Sequence, residues 1–331
     1  MNLELPDVAV EFGATAMRAF GDAGGTDLAR RAEVDPAVRT DVVAPLLVSL
    51  GALELGAALG DLDVALAAGE LCRAAGRVVL PYPVAGVLAS DEGTQRPVAV
   101  VDPRLPRADH GDLFPAWRLL SVGGEAWDGG PEGRRLGTKL GPFATDMRLG
   151  VASEATSAGQ PDAAGAVPSG VPLTLTLEAW QILGTLEEAL ERTAAHVTER
   201  QQFGRPLAAF QAVQFQVADA TVAVRSLREL AHFTMWRLFV APLDRLVDAL
   251  ALRVHALEGA NQVLRICHQL HGAIGFCDEH DLSVLARHVQ PRLRLPAGLE
   301  TTTEHLIDAV ERSGFDSLFS NGSTPAAVHP S

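Results

Sequence analysis

Apolar residues over the first 75 positions recur at helical rather than strand spacing. VAVEFGATAMRAF (8–20) and VVAPLLVSLGALELGAALG (42–60) are rich in alanine and leucine, with breaks at Gly24–Gly25 and at Asp61. The stretch from Asp61 then runs through a further helix into a turn carrying Pro81 and Pro83. Between about 96 and 178 the texture changes. Short apolar runs (PVAVVD, RLLSVGG, MRLGVAS, VPLTLTLE) alternate with Gly, Pro and Asp, a pattern that predicts short strands and turns. EATSAGQPDAAGAVPSG (154–170) is poor in large apolar residues and reads as a flexible loop.

From Trp180 onward the helical period returns. Leu183, Leu186, Leu190 and Ala194 share one face of a first long helix, and Phe210, Val213, Val217, Ala220 and Val224 one face of a second. A third is predicted over Leu243 to Gln269, and another from about Glu300. The pattern therefore predicts an N-terminal helical part (1–95), a reduced β region (96–174), a C-terminal helical bundle (175–315) and a flexible tail (316–331). The fold class is mainly α with a small middle β region.

Composition narrows the function classes. With 47% apolar and 21% charged residues over 331 positions, the chain can bury a substantial core and is not intrinsically disordered. Its formal charge of −14 repels a polyphosphate backbone and disfavours general nucleic-acid binding. Cys72, Cys267 and Cys277 form no Cys-x-x-Cys pair, so neither a disulfide framework nor a zinc ribbon is expected. The first residues carry acids where a signal peptide needs bases, which makes a cytoplasmic location the expectation. Residues 42–60 are long enough to span a bilayer, but Pro45 and Glu54 lie within them and Asp61 and Asp63 follow. They read as buried helices.

Two stretches carry candidate chemistry. Glu199-Arg200-Gln201-Gln202-Phe203-Gly204-Arg205-Pro206-Leu207 reads as a helix end, a glycine turn and a proline near the next helix start. A guanidinium held at such a corner suits a phosphate, although an arginine there also complements a helix dipole. Gln269-Leu270-His271-Gly272-Ala273-Ile274-Gly275-Phe276 ends a long helix. Its two glycines permit close backbone approach to a ligand, or serve as a C-cap and turn.

With two long helices between them, the pair resembles the C-terminal helical domain of the acyl-CoA dehydrogenase family. There a Glu-Arg-x-x-Phe-Gly-x-Pro-Leu turn and a Gln-x-x-Gly-x-x-Gly-Phe turn recur at this spacing. The resemblance implies FAD as cofactor, shared across a subunit interface. Arg200, Gln202 and Phe203 would meet its pyrophosphate and adenosine, and Gln269, Gly272 and Gly275 would line its adenine–ribose end. The family's Thr-Glu-Pro-x-x-Gly-Ser-Asp loop and Trp-x-Thr/Ser strand, which hold the flavin ring and thioester, have no counterpart between 96 and 178.

The base that removes the α-proton is equally displaced. Leu299-Glu300-Thr301-Thr302-Thr303-Glu304 resembles the family's Tyr-Glu-Gly-Thr-Ser segment, but without a gap Pro296 occupies the slot and Glu300 falls four residues late. The other family position, 25 residues before Glu199, is Thr174, which cannot serve as a base. Glu178, one turn on, reads as an exposed acid near a helix N-terminus. His268 and His271 with Cys267 and Cys277 permit a metal site by spacing, yet no accompanying carboxylate pattern supports one.

The resemblance thus implies the degenerate subunit of a heteromeric α2β2, steroid-type acyl-CoA dehydrogenase. No catalytic residue is expected in this chain, with Glu300 as the candidate if one exists. The partners would be a catalytic sister subunit, an acyl-CoA substrate and an electron-transfer flavoprotein or similar acceptor. A homo-oligomeric enzyme using Glu300 and a flavin-free helical scaffold are the alternatives.

Overall fold

The computed structural model describes residues 5–57, 59–90, 96–135, 140–152, 170–240 and 245–313. The expected loop at 154–170, apart from Gly170, and the expected tail at 316–331 lie outside them. The N-terminal part comprises α1 (Asp7–Asp22), α2 (Asp27–Val34), a π-turn (Arg39–Val43), α3 (Ala44–Ser49), α4 (Ala52–Ala57), α5 (Leu62–Arg77) and α6 (Val84–Leu88). The breaks fall where the residues demand them. Gly24 and Gly25 adopt φ of 125° and 56°, and the Asp61 carboxylate caps α5 by accepting from the backbone N–H of Asp63 and Val64.

The middle strands are β1 (Val98–Val100), β2 (Arg107–Asp109), β3 (Trp117–Leu120), β4 (Ala126–Arg135) and β5 (Ala144–Arg148), in the order β1-β3-β4-β5-β2. β1 and β3 are parallel; the other pairs are antiparallel. β4 was not expected, because AWDGGPEGRR is poor in strand formers. Its glycines are there for contact: a Cβ on Gly129 would lie 2.4 Å from the Arg148 carbonyl oxygen.

VPLTLTLE, expected as a strand, is helical. It forms the start of α7 (Gly170–Glu199), where Val171, Leu173, Thr174, Leu175, Thr176 and Leu177 are all buried. A run buried on every side has no period to distinguish helix from strand. The Thr174 and Thr176 hydroxyls donate to the carbonyls of Gly170 and Pro172, so the β-branched residues are accommodated within the helix.

The chain continues through a two-stranded hairpin, β6 (Gln201–Gln202) and β7 (Arg205–Pro206), to α8 (Gln211–Val240), α9 (Arg245–His271), α10 (Asp281–Arg294) and α11 (Leu299–Ser313). α10 was also unforeseen, since it contains Pro291. α7 is the central helix, packed against α5, α8 and α9. It meets α5 backbone to backbone: a Cβ on Gly184 would sit 1.9 Å from the Arg73 carbonyl oxygen, and one on Gly76 2.0 Å from that of Gln181. Around this contact Arg73 bridges Glu70 and Glu187, and Glu187 also receives Arg228. Among the described residues no helix is long and apolar enough to cross a membrane.

Candidate functional site

The first candidate turn begins where α7 ends. The Arg200 N–H donates to the His196 carbonyl, and the chain reverses with Phe203 at φ 53° and Gly204 at φ 77°. Two successive residues at positive φ are what a tight two-residue hairpin needs. At Phe203 the left-handed conformation costs about 1–2 kcal/mol. Phe203 is 90% exposed, with the Phe210 ring edge-on to it at 6.2 Å. Arg205 stacks over Phe210 at 4.1 Å. Arg200 and Gln202 are exposed, and Arg200 has no ion-pair partner among the described residues.

The second turn closes α9. Gly272 adopts φ 63°, and a Cβ built on it would meet nothing within 4 Å, so its backbone faces open space. Gln269 is exposed on the last turn of the helix. Gly275 differs in kind: it is buried, and a Cβ there would press to 2.9 Å from that of His271. It allows the 3-10 turn Gly272–Phe276 to fold back on α9. Ile274 and Phe276 project outward, and Phe276 stacks on His268 at 4.5 Å.

The fold brings the two turns together through histidines. The His196 ring, one turn before Arg200, stacks on that of His271, directly before Gly272, at 4.4 Å. His280 approaches His271 edge-on at 4.9 Å. His271 is buried; its Nδ1 hydrogen-bonds the Cys267 carbonyl and its Nε2 has no partner among the described residues. Burial, together with the neighbouring histidines, pushes His271 down to about 4, despite the Cys267 carbonyl. Burial and the charges of His280 and Arg200 also lower His196. The sequence reading did not single out His196 or His280. Each sits beside a turn that it did identify, but nothing in the spacing signals that the rings stack.

The base candidates are dispersed. Glu300 is exposed in the first turn of α11, where a carboxylate is favourable beside free N–H groups. Pro296 lies in a loop held from within by Arg253. This buried guanidinium donates to the carbonyls of Arg292 (3.1 Å), Leu295 and Ala297 (3.0 Å). Thr174 is buried and turned to its own helix.

Glu178 departs from expectation. α7 starts at Gly170, so Glu178 lies well inside it, and its carboxylate is only 21% exposed, 3.4 Å from Arg253. Burial raises its pKa, the nearby Asp109 adding to the shift and Arg253 and Arg292 opposing it. With Asp109, Trp117 and Arg292 it lines a cavity of about 40 Å³ between sheet and bundle. That is space enough for ordered water beside the carboxylate. No group of three or more His, Cys, Asp or Glu among the described residues is arranged to hold a metal ion.

Comparison with known proteins gives a consistent picture. Residues 176–308 match the family description "Acyl-CoA dehydrogenase, C-terminal domain". Acyl-CoA dehydrogenase FadE28 of Mycobacterium tuberculosis is 38% identical over 92 residues, 28% of this chain and 27% of that protein. The short-chain-specific acyl-CoA dehydrogenase of Clostridium acetobutylicum is 35% identical over 107 residues, 32% and 28% of the two chains. The chain thus matches less than a third of the length of these curated relatives. Among solved structures, a variant of the Tcur3481–Tcur3483 steroid acyl-CoA dehydrogenase is similar with a TM-score of 0.75 at 20% identity, over 92% of this chain and 98% of that one. The ChsE4–ChsE5 complex of Mycobacterium tuberculosis is similar at 0.70 and 17% identity, covering 94% and 99%.

Proposed function

We propose, for a chain whose residues 176–308 belong to the acyl-CoA dehydrogenase C-terminal domain family and whose fold is that of the acyl-CoA dehydrogenases, the role of a non-catalytic subunit. In this reading it pairs with a catalytic sister in an α2β2 assembly and contributes the adenine–pyrophosphate half of an interfacial FAD site. The substrate is a bulky, steroid-type acyl-CoA thioester, and the electrons pass to an electron-transfer flavoprotein or similar acceptor. Both similar solved structures named above carry paired names, which supports the heteromeric part. The three cysteines are free, in keeping with a cytoplasmic setting.

One observation carries the reading. The two turns converge at one end of the bundle with ligand-ready groups outward, while among the described residues Glu178 lines a small cavity and Glu300 lies exposed on α11. The residues present fit the cofactor's adenosine diphosphate. Arg200 is an exposed guanidinium, unpaired among the described residues and suited to a diphosphate, Gly272 offers unobstructed backbone, and Phe203 and Phe276 expose ring faces suited to adenine. Gln202 and Gln269 supply amide donors and acceptors at the two turns. Gly275 acts by allowing the second turn to close. When bound, the flavin supplies the hydride acceptor for α,β-dehydrogenation. This chain's part is to bind and orient the far end of the cofactor, and Pro296, which stands in the family's base position by sequence, lies in a loop anchored by Arg253.

Two experiments test this. Purified alone, the chain should be colourless, and co-expressed with its sister it should yield a yellow complex. Flavin retained by the chain alone would favour a homo-oligomeric enzyme, and none in either preparation a scaffold. In the complex, Glu300→Gln should leave turnover within a few-fold of wild type, whereas loss of a general base costs about 10²–10⁴. A hundredfold drop with flavin still bound would place the base in this chain.

A further inference from the structure

We infer that the stacked pair His196 and His271, with His280 packed edge-on against it, is a proton-accepting cradle beneath the Arg200 and Gly272 turns, so that a diphosphate ligand and a proton bind there together. The inference rests on the reading that these turns hold an adenosine diphosphate group. Three imidazoles meet at ring distances of 4.4 and 4.9 Å, and the central one is buried with Nε2 unpartnered. An unpaired buried nitrogen costs stability unless a partner arrives, and with Nδ1 donating to the Cys267 carbonyl, His271 Nε2 becomes a donor only by taking up a proton.

The surroundings determine when that happens. From α7 the cluster faces Glu199 and Arg200, and from the end of α9 it faces His268. Asp281, which follows His280, is already engaged by Arg30 of α2 and Arg192 of α7, so it does not neutralise the cluster. Without ligand, His271 therefore stays neutral, held down to about 4 by burial and by the neighbouring histidines. A diphosphate on Arg200 brings negative charge beside His196, whose ring stacks on His271, and so favours an imidazolium in the pair. The proton comes from solvent and resides on His271 Nε2, because Nδ1 is already committed to the Cys267 carbonyl.

ADP-ribose is the suitable probe, because it carries the adenosine diphosphate group and its diester pyrophosphate keeps its charge between pH 5 and 8. If the ligand returns one histidine from about 4 to its ordinary value near 6.5, affinity should rise about tenfold from pH 8 to pH 5.5. Calorimetry of the co-purified complex, stripped of its flavin so that the site is open to the probe, should show close to one proton taken up per ligand at pH 5.5 when buffers of different ionisation enthalpy are compared. His271→Gln should abolish both the uptake and the pH dependence. His196→Gln, at a less buried position, should reduce both and provides the control if the first variant melts early. Binding that is flat in pH with no proton exchange would overturn the cradle while leaving the site reading intact. No binding at any pH would overturn both.

Discussion

Single residues in this protein do two separable jobs, and their chemistry tells them apart. Arg200 is exposed and unpaired among the described residues, so its replacement leaves no buried partner stranded. Arg200→Ala should leave the melting temperature unchanged and lower the flavin content of the complex at limiting FAD. A charge-assisted hydrogen bond is worth about 1.5–3 kcal/mol, roughly ten- to a hundredfold in affinity. Occupancy equal to wild type would reduce the turn to a structural corner. His271 is the opposite case. Its folded value of about 4 lies below the ordinary 6.5, so the unfolded chain binds the proton more readily. The stability it contributes is complete above about pH 6.5 and is lost as pH falls toward 4. Ligand-free protein should lose about 2 kcal/mol across that window, and His271→Gln should flatten the curve. Chemical denaturation at pH 7 and pH 4.5 checks this. An unchanged slope in the variant would assign the acid sensitivity to other buried histidines.

Elements here are joined by backbone contact and buried ion pairs as much as by apolar burial. α5 and α7 approach so closely that Gly76 and Gly184 have no room for a Cβ, and the Thr185 hydroxyl donates to the Gly76 carbonyl across the contact. Gly184→Ala should cost about 3 kcal/mol or more, above the usual overpacking range of 1–3, because the obstructing atom is backbone. A melting temperature within two degrees of wild type would show that the helices slide apart without penalty. The loop before α11 depends on Arg253, whose guanidinium satisfies three carbonyls and faces Glu178. Arg253→Met removes that guanidinium from the Arg292 and Leu295 carbonyls and from Glu178, while Ala297 keeps the Thr302 hydroxyl, and a loss of about 3–5 kcal/mol is expected. Urea unfolding measures it, and a loss below 1 kcal/mol would mean that water replaces the side chain.

At the scale of the whole molecule, the described surface is unfinished at one end. Phe203, Phe276 and Ile274 project from the two turns, and Phe215 and Val222 are 60% and 67% exposed on α8. Phe215 and Val222 are seven residues apart and share a helix face. An acidic chain does not leave large apolar side chains in water without cost, and such patches mark association surfaces. Phe215→Asp should therefore weaken assembly with the sister subunit while leaving the fold intact. Sedimentation of the co-expressed pair reads the dissociation, and an unchanged complex would place the interface elsewhere.

Much of this was written in local pattern. The mainly helical fold, the breaks at Gly24, Gly25 and Asp61, the long helices after Trp180 and the two glycine-bearing turns all follow from spacing and capping, which act over a few residues. The strand expected at VPLTLTLE failed because complete burial removes the periodicity that separates helix from strand. α10 escaped because Pro291 is an interior helix residue whose ring fills space left by Gly141. Glu178 read as an exposed helix-start acid because the onset of α7 at Gly170 was not foreseen, and its burial depends on the sheet packed over it. The two turns could be named from their residues, but that His196 stacks on His271 and joins them depends on where α7 and α9 end in space. Local sequence determines which turns and helices form. Their convergence, the closure of the Pro296 loop by Arg253 and the low pKa of His271 arise from burial and long-range contact, which only the tertiary structure decides.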